Sequence, residues 1–496
     1  MELVILIVVI LSFIVLSNLL ARLVPVVSLP IHQIFLGAIF GLMPLSHIFE
    51  LEAELFLLIF VAPLLFMDSQ HVSNKELWKH KFSILSMSLA LVFVTVLIAG
   101  PVISFLIPGL PLAGAFALAA ILSPTDPVAV KAIFAKLNVP HGLKIVLEGE
   151  SLINDAAGLV TFKFALAAVV TGAFSIWDAS IDFLQVSLGG IAVGLVVMAA
   201  LMLVTKILMK LGVADANVYA SIRLAAPFIV FLAAEEMFGF SGILAVVCAG
   251  IVSSAGHAKV IGQQEARIRF ASEGAWSVLL FILNGFVFII LGIHLPEIVE
   301  SRLEYGAVGV MSDLGLVVLV YLTIMLIRFV WVMLFIERKV KKALIATLSG
   351  VKGAITLAAA FSIPFTVLLQ TGETVPFFER DLILFICGGV IILSIISASI
   401  LLPLVSTKSS GKKELMEHGA RKRLISTATQ QEVYELGKNS EISMEELAHK
   451  VHHAEKEMIK HLYRKGEIDK ETRIRLELDI ALEEVMQFED ELQEYE

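Results

Sequence analysis

The chain has 496 residues, of which 58% are hydrophobic and only 17% are charged, and its mean hydropathy is +0.90. A soluble protein of this length needs a more polar surface, so the composition excludes an ordinary soluble globular protein. The net charge of −9 averages an apolar body and a charged tail that follows Thr407. The sequence has no basic patch of the kind that predicts nucleic-acid binding. Cys248 and Cys387 lie in apolar runs, so they indicate neither a disulfide framework nor a metal site.

The body, residues 1–407, divides into apolar segments of the length that crosses a bilayer as a helix, and residues 408–496 form a separate tail. We predict an all-α polytopic membrane protein with about thirteen spans, because each span needs roughly 20 apolar residues. The first segment lacks a basic n-region and a small-residue cleavage site, so we do not expect a cleaved signal peptide. The predicted spans lie near 2–21, 25–43, 53–69, 82–107, 110–136, 147–172, 183–210, 218–239, 241–256, 272–293, 313–336, 344–369 and 381–406.

Basic residues are concentrated in every second loop of the body. Lys79 and Arg338 lie in such loops, whereas the loops between them carry mainly acidic residues such as Glu50 and Asp178. Because loops rich in Lys and Arg stay in the cytoplasm, this alternation predicts an outside N-terminus and a cytoplasmic C-terminus. It also favours an odd number of spans.

The fifth predicted span contains the motif Ser123-Pro124-Thr125-Asp126-Pro127, which predicts an interruption near Ser123–Asp126. Each of its two prolines removes a backbone donor, and the residue before a proline avoids the helical region, so the span should unwind there. The helix can restart with Asp126 as N-cap and Pro127 at the first helical position. Unwound carbonyls at membrane depth must line a cavity or bind something, and together with the Thr125 hydroxyl they suit an alkali cation. The alternative is a packed proline kink that Asp126 merely caps.

The sixth predicted span places Ser151, Asn154 and Asp155 on one helix face, because they are three and four residues apart. Asp155 is about ten residues, or about 15 Å, from the cytoplasmic end of the span. A carboxylate at that depth is costly to ionise, so its presence indicates a functional role. Such a group can hold a proton at one time and a cation at another. The alternative is an aspartate that is hydrogen-bonded for structure. Glu150 in the same span also needs a cation, and Arg328 in the eleventh span is the natural partner.

Two motifs carry a family resemblance: Ser-Pro-Thr-Asp-Pro-Val-Ala-Val at 123–130 and Glu-Gly-Glu-Ser-Leu-Ile-Asn-Asp at 148–155. They resemble the sodium/proton antiporters of the first cation:proton antiporter family, which includes bacterial, archaeal and animal members. Segments 241–245 and 284–288 are similar to that family as well, and the resemblance covers nearly the whole body. It implies a homodimer in the cell membrane, with two inverted repeats in each protomer and crossed, broken helices at the centre.

The resemblance also implies roles for individual residues of the fifth and sixth spans. It implies that Asp155 binds proton and cation in turn, and that Asn154 before it belongs to the pair associated with electroneutral exchange. It implies a sodium site formed by Asp155, Thr125 and Ser151, with Asp126 close by.

Three further assignments follow from the same resemblance. Asp68, at the inner end of the third span, matches an acidic residue of the family's site. Glu150 and Arg328 match a buried structural ion pair between two core helices. In the twelfth span, Gly350–Gly353 marks a second interruption, as expected for matching broken segments in two halves of a transporter. Lys352 departs from the arginine that is usual there, and it keeps the charge but not the planar fork of five donors.

These observations predict a sodium/proton antiporter that exchanges Na⁺, or Li⁺, for H⁺ across the cell membrane by alternating access, and predict electroneutral exchange. A potassium/proton antiporter is the alternative within the class. A cation channel would need a continuous pore, and a carboxylate transporter would need a cationic site. No motif predicts an enzyme or a cofactor, so the expected partners are these ions, the bilayer and a second copy of the chain.

The tail is predicted to form a small cytoplasmic helical hairpin or coiled coil. Ser443–Glu446 resembles a capping box, and Gly466 and Asp469 predict a break. The second helix would carry an apolar stripe of Ile474, Leu478, Leu482 and Val485. Histidines in the first helix could sense pH, although a solvated face explains them as well.

Overall fold

A computed structural model describes most of the body and part of the tail. The described residues are 2–24, 27–43, 53–71, 78–126, 130, 134, 137–171, 176–213, 215–256, 263–303, 306–363, 366–368, 374–377, 379–408, 426, 430, 444–465, 468, 473, 476, 477 and 480. Two compact units are present. The first comprises Met1–Gly212, Ile222–Ala258 and Ala275–Lys408, and the second comprises Val213–Ser221, Lys259–Gly274 and Ser409–Glu496.

Helices dominate the described chain, because a helix satisfies its own backbone hydrogen bonds where lipid offers none. In chain order they are α1 (Glu2–Leu23), α2 (Leu29–Gly41), α3 (Ala53–Phe56), α4 (Ala62–His71), α5 (Lys81–Leu85), α6 (Leu91–Leu106), α7 (Leu112–Ile121), α8 (His141–Thr171), α9 (Ile176–Lys210), α10 (Ala216–Leu232), α11 (Gly242–Gly256), α12 (Gln263–Leu303), α13 (Gly306–Phe335), α14 (Val340–Leu348), α15 (Ala354–Phe361), α16 (Arg380–Val405) and α17 (Met444–Lys465). Five-residue π-helical turns join α3 to α4 and α5 to α6 and extend α10; they are Leu57–Val61, Ser86–Ala90 and Ala233–Met237.

The described helices include eight that are long and apolar enough to cross a membrane and four shorter apolar helices of 10–17 residues. The chain is therefore a multi-pass membrane protein with a helical fold, which confirms the predicted architecture in outline. Among the described residues, two short antiparallel strand pairs supplement the helices. β1 (Leu137–Asn138) pairs with β4 (Thr407–Lys408), and β2 (Thr366–Leu368) pairs with β3 (Thr374–Pro376).

Both predicted interruptions occur where the sequence places them. α7 ends at Ile121, and the chain is not helical from Ser123 to Asp126. α14 ends at Leu348, and α15 begins only at Ala354. The predicted helix restart at Pro127 lies outside the described residues.

Helices α2 and α12 pack so closely that their backbones are in direct contact. A Cβ atom on Gly37 would overlap the backbone carbonyl oxygen of Ile289, and one on Gly41 would overlap that of Ile293. On α12, Gly292 lies equally close to the α2 backbone. Glycine therefore permits a contact between these two helices that any larger residue would prevent.

Replacing Gly37 by alanine is therefore expected to destabilise the protein. Overpacking costs about 1–3 kcal/mol, which exceeds the gain of about 1 kcal/mol that alanine brings to a helix. The thermal unfolding midpoint of the purified protein measures the difference. Gly315 in α13 is the matched control, because a Cβ atom there would meet nothing within 4 Å. Gly315→Ala should leave the midpoint unchanged or raise it, and an equal effect of both variants would contradict the packing argument.

The described part of the tail has a small core of its own. α17 ends at Lys465, close to the predicted break. Ile459 on α17 packs with Ile468, Leu476 and Ile480. Ser443 and the predicted stripe residues lie outside the described residues, so the hairpin remains a prediction.

Candidate functional site

The broken segment after α7 presents its backbone inside the protein. Ser123, Thr125 and Asp126 are all buried. A non-helical backbone at membrane depth leaves carbonyl groups without their helical partners, so it needs other polar groups close by. The side chains and backbone of α8 and of the second broken segment supply them.

The two broken segments bind each other directly. The backbone N–H of Asp126 donates to the Val351 carbonyl at 2.7 Å. The Lys352 ammonium is buried and donates to the carbonyl oxygens of Ser123 at 3.1 Å and Pro124 at 2.9 Å. A cation placed at the carbonyl end of a helix offsets the partial negative charge there. Lys352 therefore donates to two backbone carbonyls of the first broken segment, although it lacks the planar guanidinium group of an arginine.

A glycine lets the Asp126 carboxylate approach the second broken segment. A Cβ atom on Gly353 would overlap that carboxylate. The Thr356 hydroxyl, on α15, donates to the Ile121 carbonyl at 3.2 Å and so satisfies the end of α7. The backbone N–H of Lys352 donates to the Ser394 hydroxyl on α16 at 3.0 Å. The first two contacts join the two broken helices at their crossing, and the third attaches the second broken segment to α16.

α8 contributes the three side chains that the spacing places on one face. The Ser151 hydroxyl donates to the Thr125 carbonyl at 2.8 Å, and the Asn154 amide donates to the Thr125 hydroxyl at 2.8 Å. Asp155 is buried beside them. Because hydroxyl and carbonyl oxygens keep free lone pairs after accepting one hydrogen bond, Thr125 remains able to bind a cation.

Glu150 and Arg328 form the buried pair that the sequence predicts between the sixth and eleventh spans. Arg328 Nη2 donates to Glu150 Oε2 at 2.8 Å, and Nη1 donates to Oε1 at 2.5 Å. Arg328 Nε also donates to the Ala346 carbonyl of α14 at 3.1 Å. Both side chains are at most 3% exposed. The pair therefore joins α8, α13 and α14 behind the site.

A cavity of about 40 Å³ brings three carboxylates together. Asp68, Asp126 and Asp155 all line it. Roughly 10–15 Å³ of such space holds one water molecule, so the cavity has room for a cation with a water or two. Within the described residues no three His, Cys, Asp or Glu side chains form a ready-made metal cage.

A second cavity, of about 20 Å³, lies behind the same broken segment. It is lined by Glu150, Ser151 and Arg328, and it shares Thr125 and Asp126 with the first cavity. These two residues therefore stand between two separate spaces inside the protein.

Sequence reasoning did not assign a role to several residues of this site. Gly353, Thr356 and Ser394 take part through contacts with residues distant in the chain. Gly353 belongs to the motif of the second interruption, but no local pattern marks Thr356 or Ser394. Asn284 lines the cavity of Asp155, and the motif at 284–288 was the one signal that pointed to it.

Comparison with known proteins gives a consistent result. The family model described as "Sodium/hydrogen exchanger, transmembrane" matches residues 5–408. The "Sodium, potassium, lithium and rubidium/H(+) antiporter" of Bacillus pumilus is 42% identical over 86% of this chain, and that of Bacillus subtilis is 40% identical over 87%. The chain spans 65% and 66% of the length of these two relatives.

Two further likenesses concern a bacterial relative and a solved structure. An Escherichia coli protein named an uncharacterized Na(+)/H(+) exchanger is 35% identical, over 79% of this chain and 74% of its own length. The structure of the sodium proton antiporter MjNhaP1 from Methanocaldococcus jannaschii superimposes with a TM-score of 0.61 at 20% identity, and covers 82% of this chain and 98% of that one. This structural likeness concerns the fold.

Proposed function

Because the chain belongs to the sodium/hydrogen exchanger family, we propose that it exchanges sodium ions for protons across the cell membrane. The observation that carries the proposal is the cavity in which Asp155 meets Asp68 and Asp126 between two broken helices. A buried carboxylate among other carboxylates is costly to keep ionised without a compensating charge. A proton or a cation can supply that charge, and the two therefore compete for Asp155.

The proposed cation ligands are oxygen atoms from the first broken segment and α8. In this proposal Asp155, Thr125 and Ser151 bind the sodium ion. Asp155 and Thr125 line the first cavity together with Asp126 and Asp68, whereas Ser151 lines the second cavity and reaches the site through its hydrogen bond to the Thr125 carbonyl. Oxygen atoms of this kind are the ligands that hard cations prefer.

Other buried charges have a supporting role in the proposal. Glu150 and Arg328 hold the helices behind the site, and Lys352 compensates the charge of the first broken segment. In addition, Asn154 positions Thr125 and completes the pair associated with electroneutral exchange.

Alternating access is the proposed mechanism. Thr125 and Asp126 lie between two cavities, so a movement of the broken segments can open the site to one space and close it to the other. If one sodium ion exchanges for one proton, membrane voltage does not enter the driving force. Each net charge moved would otherwise be worth about 2.3 kcal/mol per 100 mV.

The proposed architecture follows the family resemblance in its finer details. The body, residues 1–407, forms thirteen spans with two inverted repeats and assembles as a homodimer. The N-terminus lies outside, and residues 408–496 form a cytoplasmic helical tail. The alternation of basic and acidic loops supports this orientation.

Potassium/proton antiport is the second candidate function. The two Bacillus relatives carry names that include potassium, lithium and rubidium as well as sodium. A cation channel is less well supported, because a channel needs a continuous pore, whereas the observation that carries the proposal is one small acidic cavity.

Purified protein in liposomes with an internal pH dye tests the proposal. A sodium gradient is expected to drive proton movement in the opposite direction, and an imposed voltage should not shift its equilibrium. If only a potassium gradient drives proton movement, the substrate is potassium rather than sodium. Cation flux without proton movement would indicate a channel, and proton movement with no cation would overturn antiport.

A further inference from the structure

The geometry points to Asn284 as a further ligand of the transported cation, which supplies a neutral amide oxygen to the cation-bound site. This inference rests on the proposed exchange function and adds a member to its site. Its consequence is specific: Asn284 should strengthen the binding of the cation and leave the binding of the proton unaffected.

Asn284 lies in α12, one helical turn before Val287 and Phe288. All three residues line the cavity that contains Asp155 and Asp68. Val287 and Phe288 are buried apolar side chains, so α12 closes the cavity with two apolar groups and one carboxamide. The carboxamide is thus the polar group that α12 brings to the acidic cavity.

Close packing fixes the position of Asn284. The neighbouring residue, Gly285, allows α12 to approach α1, because a Cβ atom there would lie 2.5 Å from Ile14 Cγ1. Two turns further on, Gly292 lies against the backbone of α2. A ligand on a rigidly packed helix binds with little loss of conformational freedom, which favours a functional role.

The Asn284 side chain is half-buried at the cavity, and among the described residues the structure shows no hydrogen bond of its carboxamide. Thr356 in the same cavity differs, because its hydroxyl donates to the Ile121 carbonyl at 3.2 Å. A polar side chain in a membrane-spanning helix is costly unless it meets a polar partner. The contents of the cavity are the partner that remains for Asn284.

An amide group interacts differently with the cation-bound and the proton-bound states of the site. Its oxygen is a hard, neutral ligand that suits an alkali cation, whereas it does not take up a proton as a carboxylate does. Loss of this oxygen should therefore weaken sodium binding, while Asp155 still accepts a proton.

Two replacements test the inference in liposomes. Asn284→Ala removes the amide, and Asn284→Leu removes it while keeping a similar volume. Both are expected to raise the KM for sodium about tenfold, the factor that corresponds to about 1.4 kcal/mol, with Vmax changed less than twofold. Val278→Ala is the matched control, because Val278 lies on α12 and is 61% exposed; its kinetics should not change.

A binding measurement separates the ligand role from transport. Sodium that binds the folded protein raises its thermal unfolding midpoint, and the Asn284 variants should need about tenfold more sodium for the same rise. An unchanged KM and an unchanged sodium response in both variants would overturn the inference. A lower Vmax with an unchanged KM would also overturn it. If the unaltered protein exchanges no cation, the proposed function fails, and the sodium response of the midpoint still decides the role of Asn284.

Discussion

Replacing Asp155 by asparagine is expected to reduce sodium-driven proton movement to the level of protein-free liposomes. Asparagine has nearly the same size and can still accept a hydrogen bond, but it neither takes up a proton nor balances the charge of a cation. Both half-reactions of the exchange are therefore lost at once. Asp182→Asn is the matched control, since Asp182 is an exposed carboxylate on α9, and this variant should exchange normally.

The stability of Asp155→Asn distinguishes loss of function from loss of fold. Asp155 shares its cavity with Asp68 and Asp126, so removal of one negative charge relieves repulsion. The thermal unfolding midpoint should therefore stay the same or rise. Exchange that persists in this variant would remove Asp155 from the mechanism. A large fall in the midpoint would instead indicate that Asp155 has a structural role.

Breaking the Glu150–Arg328 pair is expected to cause the largest loss of stability. Removing one partner of a buried ion pair costs about 3–5 kcal/mol, because the other charge stays buried without compensation. Glu150→Leu and Arg328→Met should each lower the thermal unfolding midpoint strongly. Arg328 also donates to the Ala346 carbonyl, so its loss leaves a backbone group of α14 unsatisfied as well.

The double variant shows whether the pair acts as a unit. When both charges are removed together, no uncompensated charge remains, so the combined cost should be smaller than the sum of the two single costs. Glu337→Gln is the control, because the Glu337–Lys342 pair at 2.9 Å is partly exposed and should contribute about 0–1 kcal/mol. Additive effects of the two buried replacements would contradict the direct coupling of Glu150 and Arg328.

Local sequence rules located the elements of the site well. The prolines at 124 and 127 predict where the fifth span unwinds, and α7 ends at Ile121. Spacing of three and four residues predicts that Ser151, Asn154 and Asp155 share a face, and two of them bond to Thr125. These rules depend on backbone geometry over a few residues, which the sequence specifies directly.

Contacts between distant parts of the chain could not be predicted in the same way. Asp126 donates to the Val351 carbonyl, and the Lys352 ammonium donates to two carbonyl groups of the first broken segment. Asn284 lines the same cavity as residues of other helices. Each of these contacts brings together residues that are far apart in the sequence. Asp68 was predicted only through a family resemblance, because nothing near it in the chain indicates which helix it faces. Hydropathy gives the length of a span but not its neighbours.

A family resemblance located the second helix interruption, at Gly350–Gly353. The sequence by itself determined that this protein crosses the membrane many times, where its fifth span is interrupted and which helix carries the ionisable face. These properties follow from local physics: the cost of polar groups in lipid and the backbone limits of proline and glycine. Tertiary structure decided which carboxylates share a cavity and which cationic side chain donates hydrogen bonds to the carbonyl groups of the broken backbone. The reason is that helix packing depends on the shapes of whole surfaces, such as the close approach of α2 and α12 at Gly37, rather than on any one segment.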